Sequence, residues 1–249
     1  MKKTFFTVLI LLFSASSAIL FAQDFERLEP EIDRVVDAQS PFSVGLKNGM
    51  SFNLELNDFG VALGGQYRRG ISFNNEIVLD FEFTAIKDER EQQFQTFFGQ
   101  QIIPNKYNRA LSFPVMLGLK RRLFAEQLSD NFRFYTQTSL GATFTFLYPY
   151  FDDSQGLGYI RPNQIPNDVF QGWGDGFIEV GLAGLLGIGI DFGDDFKRFQ
   201  SVRFSYMFFY FPQGVQIMEP SSPNPEFDGF EPNYFFGTPT ITLQFGGMW

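Results

Sequence analysis

The sequence predicts an all-β fold, an antiparallel up-and-down transmembrane β-barrel of about eight strands with long extracellular loops. Its 249 residues include 35 phenylalanines and 24 glycines, yet the mean hydropathy lies slightly below zero. Apolar side chains must therefore be interleaved with polar ones, and interleaving with period two is typical of membrane barrels. After the N-terminal segment, the longest uncharged apolar stretch, Val180 to Ile190, is too short and too rich in glycine to span a membrane as a helix.

The N-terminus predicts a secretory signal peptide at residues 1–22. Lys2 and Lys3 precede an apolar run from Phe5 to Phe13, and small residues follow as far as Ala22, where we expect cleavage. A transmembrane anchor is the alternative, but this run is shorter than the ~20 residues that a spanning helix needs. The chain is therefore expected to be exported.

The mature chain is predicted to contain a periplasmic N-terminal lead at residues 23–41 and one barrel domain at 42–249. The lead can form a short amphipathic helix or stay flexible. Loss of the two signal lysines changes the net charge from −9 to −11. Nucleic acid is a poor partner for so acidic a chain, because its affinity depends on Lys and Arg contacts with phosphate. The absence of Cys and His removes the usual zinc and copper ligands, and no cofactor is expected.

The first four segments with alternating polarity are Phe42 to Leu56, Phe59 to Arg69, Ile77 to Thr84 and Ala110 to Lys120. The first keeps one phase over its whole length, which argues against a hairpin turn at Asn48-Gly49. A tight turn is expected at Asn57-Asp58. Pro114 in the fourth segment has no amide hydrogen to donate, so we expect a bulge there.

The other four segments complete the barrel. They are Phe132 to Tyr148, Phe177 to Phe192, Ser201 to Phe211 and Pro239 to Trp249. With the N-terminus in the periplasm, three of the four outward connections are long and the inward ones are shorter, as bacterial barrels require. A soluble lipocalin-like barrel has the same period but would place its apolar residues inside.

The last segment ends in an aromatic residue. Its alternating apolar residues are Ile241, Leu243, Phe245 and Trp249, and this pattern resembles the C-terminal assembly signal of Gram-negative outer-membrane β-barrels, although Gly247 departs from it. The chain from about Phe42 to Trp249 resembles the small members of that family. The resemblance implies the cell outer membrane as location, and outer-membrane lipids and the barrel-assembly machinery as partners. It does not select a function, because one fold serves many.

The inner face of the predicted barrel collects charges of both signs. The cations are Lys47, Arg68, Lys120, Arg133 and Arg203, and the acids are Glu55, Asp80, Glu82, Glu179 and Asp191. Because the lumen of an eight-stranded barrel is just wide enough for side chains, these groups must pair. The sequence predicts a filled lumen with ion pairs, which serve structure or form a proton or ion relay. Asp80 and Glu82 either share a proton or form a charge ladder with arginines.

Small residues on the sixth segment permit two interpretations. Gly181, Ala183, Gly187 and Gly189 either leave a local cavity or permit strong strand coiling.

No catalytic residue is expected, because the known barrel enzymes of this family use a histidine and the chain has none. Asp152 and Asp153 are a weak candidate for Ca²⁺, since they lack the spacing of an EF-hand, and an acidic turn that keeps the loop soluble is the alternative. We therefore expect a non-enzymatic barrel that is structural or binds an unknown extracellular or lipid ligand through its long outer loops. A narrow transporter or a carrier of lipids or hydrophobic ligands is the alternative.

Overall fold

The computed structural model describes residues 39–95, 101–128, 131–161, 164–193, 196–224 and 226–249. The expected signal peptide at 1–22 and nearly all of the N-terminal lead at 23–41 lie outside the described residues. The described residues belong to one compact unit.

Eight strands of the described chain form a closed antiparallel barrel. They are β1 (Asn48–Asn57), β2 (Gly60–Gly70), β3 (Asn75–Ile86), β6 (Asn108–Arg122), β7 (Phe132–Pro149), β8 (Phe177–Phe192), β9 (Arg198–Val215) and β10 (Asn233–Met248). Consecutive barrel strands are neighbours, and β1 pairs with β10 to close the ring. Two short strands, β4 (Phe94–Gln95) and β5 (Gln101–Ile102), pair with each other in the β3–β6 connection. The predicted up-and-down barrel is confirmed.

The barrel is apolar on its outer wall and polar over much of its inside. Large exposed side chains on the outer wall include Phe52, Val61, Phe81, Leu117, Leu140, Ile188, Phe204 and Ile241. The buried inner side chains include Glu55, Arg68, Asp80, Gln137, Thr143, Arg203 and Gln244. This facing is the reverse of a lipocalin-like barrel, whose apolar residues would lie inside. No helix in the described part of the chain is long and apolar enough to cross a membrane.

The first strand is shorter than its alternation predicts. Residues 41–45 form a turn in which Ser43 N donates to Ser40 Oγ at 3.2 Å and Ser40 N donates to Ser43 Oγ at 2.9 Å. Gly45 then takes a φ of 86°, which a strand does not permit. Pairing therefore begins at Asn48, and Phe42 to Leu46 precede the strand although they keep its phase.

Pro114 does not produce the expected bulge. Pro114 pairs with Thr143, and the β3–β6 register is the same on both sides of it, with Phe81 opposite Val115 and Thr84 opposite Ser112. The missing amide hydrogen interrupts the ladder locally without inserting a residue. The register shift of the β9–β10 pair lies elsewhere, between Asn233 and Phe235.

The connections differ in length between the two ends of the barrel. The strands leave connections of 58–59, 87–107, 150–176 and 216–232 at one end and of 71–74, 123–131 and 193–197 at the other. Short turns face the periplasm in bacterial barrels, so the first set is extracellular. We call residues 87–107, 150–176 and 216–232 the extracellular cap.

An apolar plug lies in the half of the lumen nearest the extracellular cap, beside buried polar residues such as Thr84, Ser112 and Thr143. Its buried residues include Phe59, Ile86, Leu147, Leu185, Met207, Phe209, Phe211 and Phe236. On β9 the inner face changes from Ser201 and Arg203 to Met207, Phe209 and Phe211 toward the extracellular end. On β3, β8 and β9 the charged residues described below lie nearer the periplasm than the plug residues.

Candidate functional site

One arginine lies among three carboxylates inside the barrel. Arg203 Nη2 lies 3.2 Å from Glu55 Oε1 and 3.6 Å from Glu82 Oε1, and Arg203 Nη1 lies 3.5 Å from Asp80 Oδ1. All four side chains are fully buried. Strands β1, β3 and β9 supply them from their inner faces. A single cation thus compensates three buried acids, so each contact matters for stability.

Neutral side chains complete the shell around Asp80. Gln66 Nε2 donates to Asp80 Oδ1 at 2.6 Å. Gln137 Nε2 and Ser139 Oγ each donate to Asp80 Oδ2 at 2.9 Å. Hydrogen bonds to a buried carboxylate offset its loss of contact with bulk water, which allows Asp80 to be buried inside the barrel.

A second cluster brings two cations to one carboxylate. Arg68 Nη1 lies 2.9 Å and Lys120 Nζ 2.6 Å from Asp191 Oδ2. The Lys120 ammonium also lies 3.6 Å from the ring centroid of Tyr135, and the Arg68 guanidinium lies 4.0 Å from that of Phe199. Glu76, which pairs with Lys120 across β3 and β6, adds a second negative charge near both cations, and the aromatic faces stabilise them further.

Gln66 connects the two clusters. Its Oε1 accepts from Arg68 Nε at 2.5 Å, while its Nε2 donates to Asp80. The acidic cluster around Arg203 and the basic cluster around Asp191 therefore form one network of alternating donors and acceptors. Such a network links side chains from the inner faces of several strands.

The inner-face residues predicted from sequence do not all join this network. Glu55, Arg68, Asp80, Glu82, Lys120, Asp191 and Arg203 come together as described. Arg133 lies at the periplasmic mouth, where Nη1 donates to Gly193 O at 3.2 Å. Lys47 precedes β1 and is exposed, with its ammonium 5.7 Å from the Phe42 ring centroid, so it lies outside the buried network. Glu179 is half-buried on the extracellular half of β8, opposite Thr145.

The small residues of β8 accommodate large neighbours. A Cβ at Gly189 would lie 2.5 Å from the Tyr135 ring, and one at Gly181 would lie 2.6 Å from the Phe211 ring. At Gly187 it would lie 2.7 Å from Ser205 Cβ. Neighbouring side chains occupy this space, so the cavity interpretation of these residues is wrong.

The extracellular cap is a bonded unit. Tyr107 N donates to Ile217 O and Tyr150 N to Tyr107 O, both at 2.8 Å. Glu219 N donates to Asn105 O at 2.8 Å, and Ile160 N donates to Glu219 Oε1 at 2.7 Å. These bonds join all three long connections. Loops tied in this way present a defined surface and not a set of independent segments.

Charged pairs inside the cap reinforce it. Lys106 Nζ lies 2.7 Å from Glu91 Oε2, with both side chains nearly buried; burial lowers the pKa of Lys106 although Glu91 opposes the shift. Arg90 Nη2 lies 2.7 Å from Asp88 Oδ2. Burial favours a higher pKa for Asp88, but the hydrogen bonds and charge of Arg90 outweigh it and lower the pKa.

Asp152 and Asp153 are occupied by backbone donors. Asp152 Oδ1 accepts from Ser154 N at 2.9 Å, and the two oxygens of Asp153 accept from Leu157 N at 2.8 Å and Gly158 N at 3.0 Å. Within the described ranges, no group of three or more Asp, Glu, His or Cys side chains is arranged to hold a metal ion. These contacts support the interpretation of an acidic turn.

The alternating apolar residues of the terminal strand lie on the outer wall of the barrel. Ile241 and Phe245 are exposed on the outer wall, and Leu243 shares their face of β10. Trp249 follows β10, where its amide donates to Asn48 O at 2.7 Å and its side chain is exposed. The role of these four residues as an assembly signal stays a prediction.

A closed antiparallel eight-stranded barrel with an apolar wall and an ion-paired interior defines a transmembrane β-barrel of the bacterial outer-membrane class. No protein-family model matches the chain, and no curated protein matches it significantly.

Solved structures of two proteins align with most of the chain. The chain is 13% identical to Ail, the attachment invasion locus protein of Yersinia pestis crystallised with the heparin analogue sucrose octasulfate, over 82% of this chain and 95% of that one, with a TM-score of 0.34. It is 9% identical to Neisserial surface protein A, over 81% of this chain and 92% of that one, with a TM-score of 0.32. Such low TM-scores carry no weight for the fold, which follows from the strand pairing and facing described above.

Proposed function

We propose that this protein is a closed, non-enzymatic outer-membrane barrel that binds a partner with a basic surface through its extracellular cap. The filling of the lumen is the observation that carries the proposal. Arg203, Glu55 and Asp80 are fully buried in the middle of the barrel, and the apolar plug lies between them and the cap. A lumen filled at two levels favours a binding role over transport.

The charge of the cap supports a basic partner. Its exposed acids in the described part of the chain are Glu89, Asp152, Asp168, Asp175, Glu226, Asp228 and Glu231, whereas its exposed bases there are Lys87, Arg90 and Arg161. An acidic surface attracts a basic partner and repels a polyanion. The heparin analogue bound by Ail is a polyanion, so that ligand class is not extended to this chain.

The test measures binding of an oligolysine peptide and of sucrose octasulfate to the protein in nanodiscs of zwitterionic lipid. We expect the peptide to bind and the octasulfate not to bind. Replacing Glu226→Gln, Asp228→Asn and Glu231→Gln together should weaken peptide binding about tenfold at low salt, because exposed ion pairs contribute roughly 0.2–1 kcal/mol each. Added salt should also weaken binding of the peptide to the wild type, because it screens the attraction between exposed charges.

The control is Glu126→Gln, which removes an exposed acid from the periplasmic end. This variant should bind the peptide as the wild type does. The same protein in a planar bilayer should insert without stepwise currents. Binding of the octasulfate in preference to the peptide would contradict the basic partner, and discrete channel openings would contradict the closed barrel.

A further inference from the structure

Part of the β7–β8 connection lies against the outside of the barrel. We call residues 165–176 the aromatic flap. The Trp173 ring centroid lies 6.2 Å from that of Phe146 and 6.1 Å from that of Tyr148, two residues on the outer face of β7. Phe144 on the same face is 45% exposed, whereas Tyr148 is 1% exposed. The flap therefore covers the extracellular end of a wall that otherwise faces lipid.

The outward surface of the flap is strongly apolar. Ile165 is 77% and Phe170 76% exposed, and Val169 and Trp173 are also exposed beside them. Phe170 packs edge-on against Trp173 at 5.3 Å. These side chains continue the exposed lipid-facing face of β8, which begins with Ile178 and Val180. Val169, Phe170 and Trp173 lie together, and exposing such an apolar cluster to water would be costly.

The polar groups of the flap are bonded internally or lie toward water. Trp173 Nε1 donates to Val169 O at 2.9 Å, so the indole carries no unsatisfied donor. Arg109 donates to Asn167 O at 2.7 Å and to Asp168 O at 2.9 Å. Asp175 lines a cleft of about 670 Å³ with Asp152 and Asp153 at the extracellular surface. The flap thus has an apolar outer side and a polar extracellular edge, as an interfacial segment requires.

We propose that the aromatic flap is a lipid-binding surface, seated in the acyl chains of the outer leaflet next to the headgroups. The occupant follows from position, because Trp173 packs on the outer face of β7 and the flap leads directly into the lipid-facing wall of β8. Phe170 and Trp173 enter the hydrocarbon, while Asp168 and Asp175 stay at the headgroup level. The flap is the part of the cap that would face lipid, whereas acids outside it, such as Glu226, Asp228 and Glu231, would contact the proposed partner.

Tryptophan fluorescence tests this placement, since the chain has only two tryptophans. Trp249→Phe leaves Trp173 as the single fluorophore and keeps an aromatic C-terminus. In vesicles with brominated acyl chains, we expect strong quenching of Trp173, greater for bromines near the ester end than near the terminal methyl. Acrylamide in the water phase should quench it weakly.

The control places the single tryptophan at an exposed position in another connection of the cap. Phe227→Trp in a Trp173→Phe, Trp249→Phe background reports a side chain of the 216–232 connection that is 41% exposed. Acrylamide should quench this control strongly and the brominated lipids should not. The same pattern at Trp173 would overturn the proposal. Protection of Trp173 that grows with the protein-to-lipid ratio and occurs without quenching by bromine would assign the flap to a second copy, which also overturns it.

Discussion

At the scale of single residues, Arg203 is the group on which the lumen depends most. It is the cation that contacts Glu55, Asp80 and Glu82, all without solvent exposure. Arg203→Met would leave three carboxylates uncompensated in the barrel. We expect the free energy of unfolding to fall by about 3–5 kcal/mol, as for other broken buried pairs. Urea unfolding of the protein in lipid vesicles measures this loss.

Two variants separate a charge effect from a packing effect. Arg69→Met removes an exposed arginine of β2 and should change the free energy of unfolding by about 0.5 kcal/mol or less. Adding Glu55→Gln, Asp80→Asn and Glu82→Gln to Arg203→Met removes the uncompensated charges and should restore most of the loss. If the quadruple variant is no more stable than Arg203→Met, uncompensated buried charge is not the cause of the lost stability.

Alternation alone predicts which residues face inward but not how far along the lumen each one lies. Arg68 and Asp191 share the inner face with the other lumen charges and meet in the structure. Lys47 keeps the same phase but lies at the rim of the barrel, one residue before β1, and its side chain is exposed. The partners of each charge depend on strand tilt and register, which period-two alternation does not contain.

At the scale of the strands, β8 shows why small residues were ambiguous. Glycine on an inner face permits either a void or a close neighbour, and only the opposing strand decides between them. Here Tyr135 on β7 fills the space beside Gly189, and its hydroxyl shares a hydrogen bond with Ser201 Oγ at 2.8 Å.

The apolar plug cannot be predicted from alternation, for a related reason. From Tyr206 to Phe211 both faces of β9 are apolar, so alternation gives no inner face there.

Gly189→Ala tests this close packing. The added Cβ would lie 2.5 Å from the Tyr135 ring and 2.8 Å from Val202 O, a backbone atom that cannot easily move. We expect a loss of about 1–3 kcal/mol in the free energy of unfolding, typical of overpacking. Gly174→Ala is the matched control, because no heavy atom of the described chain lies within 4 Å of its added Cβ. A neutral Gly189→Ala would show that space does exist beside β8.

At the scale of the whole molecule, one buried residue, Glu219, bonds to all three long extracellular connections. Glu219 is 4% exposed and contacts each long connection: its amide donates to Asn105 O, its Oε1 accepts from Ile160 N, and its carbonyl accepts from Phe230 N. Burial raises the pKa of Glu219 above its ordinary 4.5, and the bond from Ile160 N only partly offsets the shift. The ionised carboxylate therefore weakens the folded cap relative to the open one.

The sign of the pH dependence follows from this raised pKa. Above the folded pKa of Glu219, the cap carries the full penalty of a buried charge. As the pH falls toward 4.5, Glu219 is protonated and the penalty disappears.

Glu219→Gln removes the charge and keeps an acceptor for Ile160 N. In hydrogen exchange at neutral pH, we expect the Ile160 amide to be better protected in this variant than in the wild type. The protection factor of the Ile160 amide in Glu219→Gln, divided by that in the wild type, should change about tenfold per unit of pKa shift. This quotient should approach one near pH 4.5. Because both proteins are measured at the same pH, intrinsic exchange cancels. Greater protection in the wild type at neutral pH would mean that the ionised Glu219 stabilises the cap through Ile160, which reverses the proposed balance.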